Sequence, residues 1–135
     1  MTRMAYLDTC CVIYLIENVP GFSAPMRAHL ANNPDVILCV SPLVRLEVLI
    51  KPMAQRDHAL TRDYEDFLAA QHWLSMTDSE FGRATQLRVM HKLKTPDALH
   101  LATALRHSCA EFWTNDDRLD KAAANMAVNV FRLNP

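Results

Sequence analysis

The chain has 135 residues, 50% of them hydrophobic and 21% charged, which suits one domain that can bury a core without disulfides or a structural metal. Lys plus Arg number 14 and Asp plus Glu 15, so a net charge of -1 excludes a strongly basic nucleic-acid coat and leaves only a local patch for such binding. Only 2 Gly and the absence of a low-complexity stretch exclude collagen, disorder and a Gly-rich nucleotide loop.

Strands and helices alternate along the chain. Residues 4–7 form a short apolar run ending at Asp8, read as the first strand, and 9–17 follow as a helix closed by Pro20 and Gly21. Residues 23–32 have helical spacing at Met26 and Leu30. Residues 36–40 are continuously apolar and β-branched, as in a strand buried on both faces. Ser41 and Pro42 supply a cap and a first-turn proline for a helix that Pro52 is expected to stop. A polar helix over 57–71, a short strand over 73–76 and a helix over 79–90 come next. Thr95 and Pro96 repeat the cap-then-proline signal and open a helix to 107. A strand at 111–114, a helix at 117–125 and a closing strand at 128–131 complete the chain. The longest apolar run, residues 10–16, is far short of the ~20 residues a membrane span needs, so a soluble cytoplasmic protein is expected. Cys10, Cys11, Cys39 and Cys109 form no C-x-x-C pair and read as small buried hydrophobes.

This alternation implies an α/β fold: one three-layer α/β/α domain around a mostly parallel sheet of four to five strands. In such a sheet all strands end on one edge, where ligands bind. Four acids fall there. Asp8 ends the first strand, Glu47 lies in the helix after the second, Asp97 sits in the first turn of the Thr95-Pro96 helix, and Asp116 follows the fourth strand. Asp8, Asp97 and Asp116 also suit helix capping. Glu47 lies among Leu43, Val44, Leu46, Val48, Leu49 and Ile50, where a carboxylate is costly unless paired, for instance with Lys51. Two carboxylates ~4 Å apart repel by ~4 kcal/mol at an effective dielectric near 20. A gathered set therefore calls for a cation, and an all-oxygen site suits Mg²⁺ or Mn²⁺ rather than zinc. Such a metal activates water and neutralises charge at phosphorus, which is phosphodiester hydrolysis.

Four segments carry a family resemblance: Tyr6-Leu7-Asp8-Thr9; the stretch from Ser41-Pro42 through Glu47-Val48; the stretch from Thr95-Pro96-Asp97 to Ala104; and Phe112-Trp113-Thr114-Asn115-Asp116-Asp117-Arg118-Leu119. In order and spacing the chain resembles a PIN-domain ribonuclease, specifically the VapC toxins of type II toxin–antitoxin pairs. The resemblance covers essentially residues 1–135 as one PIN domain. It implies that Asp8, Glu47, Asp97 and Asp116 are the acidic quartet, with Asp8, Asp97 and Asp116 holding Mg²⁺ or Mn²⁺. Glu47 would orient the attacking water or help hold a second ion. Thr9 and Thr114 would steady a carboxylate or the water. Asp117 adjoins Asp116 and competes for the fourth position; Asp116 is preferred because it stands two residues after Thr114.

The resemblance further implies an RNA substrate, a VapB-like antitoxin and a homodimer. Lys92 and Lys94, in an acid-free stretch with Arg83 and Arg88, are candidates to draw the RNA backbone toward Asp97. His100, one turn after Asp97, reads as a semi-exposed structural histidine, and Trp73 and Trp113 as core. The apolar segment 9–30 offers an antitoxin helix a groove, unless its residues simply pack on the sheet. The alternative to a nuclease is a non-catalytic PIN-like module that binds RNA or protein, its acids serving as caps and salt bridges.

Overall fold

The computed structural model describes residues 2–124 and the backbone of 127–128. Five strands form one sheet, every neighbouring pair parallel, in the order β3-β2-β1-β4-β5. They are β1 (Arg3–Leu7), β2 (Val36–Val40), β3 (His72–Trp73), β4 (Glu111–Trp113) and β5 (Ala127–Val128). Ala5, Tyr6 and Leu7 of central β1 are fully buried, as are Cys39 and Val40 of β2 and Phe112 and Trp113 of β4. This is the continuous apolar pattern of strands covered on both faces. The expected final strand at 128–131 overlaps β5 only at its start; 129–131 lie outside the described residues.

The helices are α1 (Thr9–Ile16), α2 (Ser23–Ala31), α3 (Pro42–Ala54), α4 (His58–Ala69), α5 (Asp78–His91), α6 (Thr95–Arg106) and α7 (Asp117–Ala123). α1 packs on α2, α3 and α4, and α3 on α4; α5, α6 and α7 pack on one another. These two groups cover the sheet as the outer layers of an α/β/α sandwich. From β1 the chain steps through β2 to β3 on one side, then returns to place β4 and β5 on the other. The strand order thus reverses between β1 and β4, and a crevice opens at their carboxyl ends. Pairing of Leu7 with Trp113 sets the register there, and the Asp8 amide donates to the Trp113 carbonyl at 2.9 Å. No helix among the described residues is long and apolar enough to cross a membrane.

Several local expectations need correction. Pro52 does not stop α3, which runs on to Ala54. In the last turn a proline forfeits only one ladder bond, and Pro52 is buried in the packing. The turn comes instead at Arg56, with φ 55°, where the Asp57 amide donates back to the Pro52 carbonyl. Thr95 is the first residue of α6 rather than its cap; Lys94 occupies the cap without a side-chain bond. Trp73 is 40% exposed, because β3 is a two-residue edge strand, whereas Trp113 is core. Cys11, Cys39 and Cys109 are buried, but Cys10 is only partly so. In segment 9–30, Val12 and Met26 are fully buried, and Ile13, Leu15, Ile16 and Leu30 pack against the core. The most exposed large apolar side chains lie elsewhere, at Leu46, Ile50 and Met53 on α3 and at Phe81, Val89 and Met90 on α5.

α6 is fixed to α5 by a buried carboxylate. Thr77 and Glu80 form a capping box at the start of α5, a T-x-x-E signal readable in the sequence. Oε2 of Glu80 accepts from the Thr77 amide at 2.6 Å and its hydroxyl at 2.7 Å, while Oε1 accepts from Arg106 of α6 at 3.0 Å. Burial pushes this carboxyl up, but the Thr77 bonds and the Arg106 guanidinium outweigh it and hold the group at about 2, against 4.5 unperturbed. The folded value lies below the unfolded one, so the contribution is full above about pH 4.5 and is lost as pH falls toward 2. Glu80→Ala is expected to destabilise the fold by about 1–3 kcal/mol in denaturant unfolding. An unchanged midpoint would mean that apolar packing alone seats α6.

Candidate active site

Four chain segments meet in the crevice. Asp8 follows β1, Glu47 projects from α3, Asp97 lies in the first turn of α6, and Asp116 caps α7 after β4. With Thr9, Cys10, Tyr14 and Asn115 they line one open cleft of about 330 Å³. The acids thus come from both helical layers.

Each carboxylate is held in its own way. Asp8 Oδ1 accepts from the Thr9 amide at 2.8 Å, and Oδ2 accepts from the Thr114 hydroxyl at 2.8 Å. The Thr114 oxygen in turn accepts from the Asp116 amide at 3.0 Å. Asp116 Oδ1 takes both capping bonds of α7, from the Arg118 and Leu119 amides. Asp8 and Asp116 therefore do cap helices, yet both also face the cleft. Asp97 is not a cap; it sits near the positive end of α6, which favours its charge.

Glu47 is not held by Lys51. Its Oε1 accepts from the Thr9 hydroxyl at 2.7 Å and stands 2.5 Å from Nε2 of His100. Burial pushes the Glu47 carboxyl up, but the bonds from His100 and Thr9 outweigh that and keep it below its ordinary value. His100 is 1% exposed, which corrects the semi-exposed reading. Its Nε2 lies 3.2 Å from Thr9 Oγ1 and 4.0 Å from Asp8 Oδ1, and its Nδ1 lies 2.6 Å from the Tyr6 hydroxyl. The sequence carried the signal: His100 is three residues after Asp97, on the same helix face. Tyr14 was equally legible, one turn after Cys10 on α1.

The two lysine candidates part company. Lys94 shares a second cleft, of about 360 Å³, with Asp97, Asp116, Asp117 and Arg118. Lys92 lines a separate hollow with Thr85, Arg88, Val89 and Leu93. Asp117 borders only the second of these clefts, whereas Asp116 borders both acid-lined ones.

The four carboxylates offer only oxygen donors, as Mg²⁺ and Mn²⁺ prefer. Among the described residues, no three His, Cys, Asp or Glu side chains are grouped tightly enough to enclose an ion by themselves. A set this open suits an ion that keeps several of its waters. Strain from crowded charge is visible at Asp97. Burial, then Asp8 and Asp116, push its carboxyl up to about 6 from 3.8.

Because the folded value exceeds the unfolded one, the ionised group weakens the metal-free fold. The penalty is absent below about pH 3.8, grows as pH rises and is complete above about 6. Asp97→Asn is therefore expected to stabilise the metal-free protein at pH 7.5, by roughly 1 kcal/mol once solvent screening at this half-buried position is allowed for. The gain should vanish near pH 4. Thermal unfolding at the two pH values checks this, and equal midpoints for the two proteins at pH 7.5 would contradict it.

No curated protein matches the chain at a significant level. Solved structures do. A toxin–antitoxin complex from Klebsiella pneumoniae matches with TM-score 0.76 and 24% identity, over 93% of this chain and 97% of the other. VapBC2 from Rickettsia felis, bound to a DNA fragment from its promoter, matches with TM-score 0.75 and 14% identity over 93% and 98%. VapC20 from Mycobacterium tuberculosis, a toxin that cleaves the sarcin-ricin loop, matches with TM-score 0.74 and 15% identity over 87% and 94%. At these identities the likeness establishes the fold. The PIN domain family model matches residues 5–125, spanning β1 through α7 and all four cleft acids, and by that match the chain belongs to the PIN domain family.

Proposed function

We propose that the protein is a Mg²⁺- or Mn²⁺-dependent endoribonuclease and the toxin of a type II toxin–antitoxin pair. The observation that carries this reading is the convergence of Asp8, Glu47, Asp97 and Asp116, from four separated segments, on one open cleft. Caps explain Asp8 and Asp116, and the His100 pair explains Glu47, each taken singly, but neither explains a half-buried Asp97 beside them, its carboxyl pushed up by burial and then by Asp8 and Asp116. The toxin reading draws support from the relatives, which include toxin–antitoxin complexes and a sarcin-ricin loop cleaving toxin.

Asp8, Asp97 and Asp116 would hold the ion. When bound, it supplies an acidified water and charge neutralisation at phosphorus. Thr114 fixes the Asp8 carboxylate, and the α7 amides fix that of Asp116. Glu47 has both of its hydrogen bonds on Oε1, which leaves Oε2 to orient the attacking water. Lys94, with Arg118 across the adjoining cleft, would bind backbone phosphates beside the one that is cut. Lys92 would act, if on RNA, at a more distant phosphate.

The reading also calls for a partner that silences the enzyme in its own cell. The exposed rows Leu46, Ile50 and Met53 on α3, at i, i+4 and i+7, and Phe81 and Val89 on α5, offer apolar ground for an antitoxin helix and a second copy of the chain.

Purified protein is expected to cut RNA only with Mg²⁺ or Mn²⁺, leaving 5′-phosphate and 3′-hydroxyl ends. Asp8→Asn should abolish cutting with the fold intact. Full cleavage in excess chelator, or 2′,3′-cyclic ends, would exclude the mechanism. Growth arrest on expression, relieved by Asp8→Asn, tests the toxin role; harmless expression of an active nuclease would point to a housekeeping enzyme.

Lys94→Ala should weaken RNA binding and reduce the slope of log affinity against log salt by about 0.7, the value for one single-strand phosphate contact. Binding to Asp8→Asn protein, titrated at several salt concentrations, measures it. An unchanged slope would remove Lys94 from the RNA path.

A further inference from the structure

Behind the cleft, Glu47 is the end of a buried chain of hydrogen bonds. His100 Nε2 meets Glu47 Oε1 at 2.5 Å, His100 Nδ1 meets the Tyr6 hydroxyl at 2.6 Å, and that hydroxyl meets Ser41 Oγ at 2.8 Å. Ser41 Oγ also accepts from the Val44 amide at 3.4 Å. Tyr6 and Ser41 are fully buried and His100 is 1% exposed. Buried polar groups are matched by hydrogen-bond partners, and here each member meets the next.

The proton positions follow from what each group can do. An ionised carboxylate only accepts, so His100 donates from Nε2. With the ring's one proton on Nε2, Nδ1 accepts and the Tyr6 hydroxyl donates to it. The Tyr6 oxygen in turn accepts from the Ser41 hydroxyl, whose oxygen still has a lone pair for the Val44 amide. In that arrangement donation runs one way, from Ser41 through Tyr6 and His100 to Glu47. Both ends lie on α3: Ser41 is its N-cap and Glu47 stands two turns in. The chain passes through β1 and α6 on the way, so it closes a ring across both helical layers.

We propose that His100, held as its Nε2–H tautomer by Tyr6 and Ser41, is a positioning residue that fixes the Glu47 carboxylate and the Thr9 hydroxyl at the acidic cleft. Its consequence for catalysis rests on the ribonuclease reading; its tautomer and its hold on Glu47 do not. His100 does not touch RNA in this scheme. It occupies Oε1 of Glu47, so that Oε2 alone faces the reacting groups. Gln at this position preserves the logic, since its amide nitrogen donates to Glu47 while its oxygen accepts from Tyr6. Leu fills similar space and does neither.

The test uses isotope-labelled, metal-free protein and steady-state cleavage of one RNA. Long-range proton–nitrogen spectra of the wild type should show His100 protonated on Nε2 alone. The Glu47 carboxyl carbon resonance should stay near its wild-type position in His100→Gln and move in His100→Leu. With Mg²⁺, His100→Leu should lose about 10–100-fold in kcat, as removal of such supporting partners usually does, with KM little changed. His100→Gln should recover most of that loss. If His100→Leu does not fold, Tyr6→Phe carries the test. It keeps the ring stack on Phe112, at 5.5 Å between centroids, and deletes only the hydroxyl, and its kcat should also fall.

A ring protonated on Nδ1 would overturn the proposal. So would wild-type kcat in His100→Leu or Tyr6→Phe, or equal loss in His100→Gln and His100→Leu. A wild type that cuts no RNA would instead overturn the ribonuclease reading, and the tautomer and the Glu47 resonance would still decide whether His100 positions that carboxylate.

Discussion

Mutual repulsion among carboxylates is the constraint around which this edge of the sheet is organised. Acids gathered within reach of one another push each other toward protonation, and at Asp97 this adds to the larger effect of burial to raise the carboxyl to about 6. A fold that keeps such a group must restrain every member of it. Here the restraint is distributed. Asp8 is tied by an amide and a threonine, Asp116 by the amide end of a helix, and Glu47 by a threonine and a buried histidine. The cost of crowding is offset locally by hydrogen bonds and helix ends, which favour the ionised forms. The charge that remains is what a divalent cation would neutralise.

The restraints depend on one piece of strand register. β1 and β4 are neighbours only because the chain reverses its course across the sheet after β3. Their pairing sets Leu7 beside Trp113, so the next residues, Asp8 and Thr114, emerge side by side and bond. A shift of one residue would turn Asp8 to the other face and strand the Thr114 hydroxyl. The apolar burial of Tyr6, Leu7, Phe112 and Trp113 therefore stabilises more than the core. It sets the distance between two of the acids.

Much of this was readable in the residues. The strand at 36–40 was legible to the residue, because a β-branched apolar run bounded by Asp35 and Ser41 has few other outcomes. The acids were found because topology, rather than spacing, gathers strand ends on one edge. What escaped the reading were contacts between distant segments. Pro52 looked like a helix stop by local rules, yet tertiary packing absorbed it in the last turn of α3. His100 reads as a semi-exposed histidine because its partners, Tyr6 and Glu47, are 94 and 53 positions away in the chain. The segment 9–30 looks richer in apolar residues than two helices need; Val12 and Met26 are in the core, while Ile13, Leu15, Ile16 and Leu30 pack against it only partly buried. Periodicity reports which face of a helix is apolar; it does not report how deep the neighbouring layer reaches.

The cleft straddles the seam between the two helical layers. Asp8 and Glu47 belong with α1 and α3 on one side, Asp97 and Asp116 with α6 and α7 on the other. Sites built across a seam are only as rigid as the bonds that cross it. Two of the bonds that do so hold acids of the cleft. Thr114 reaches Asp8 beside the strand ends, and His100 of α6 reaches Glu47 of α3 from beneath. The first is buried at the strand ends, and the second joins a buried imidazole to a carboxylate that still reaches the cleft; away from water a hydrogen bond is electrostatically stronger and an unmatched one more costly. Buried polar groups in a small core are an expense that packing alone would remove. Tyr6, Ser41 and His100 all lie beneath Glu47, which caps no helix and accepts from no backbone amide; the support that a helix end gives to Asp8 and Asp116 comes to Glu47 from the buried ring and from Thr9.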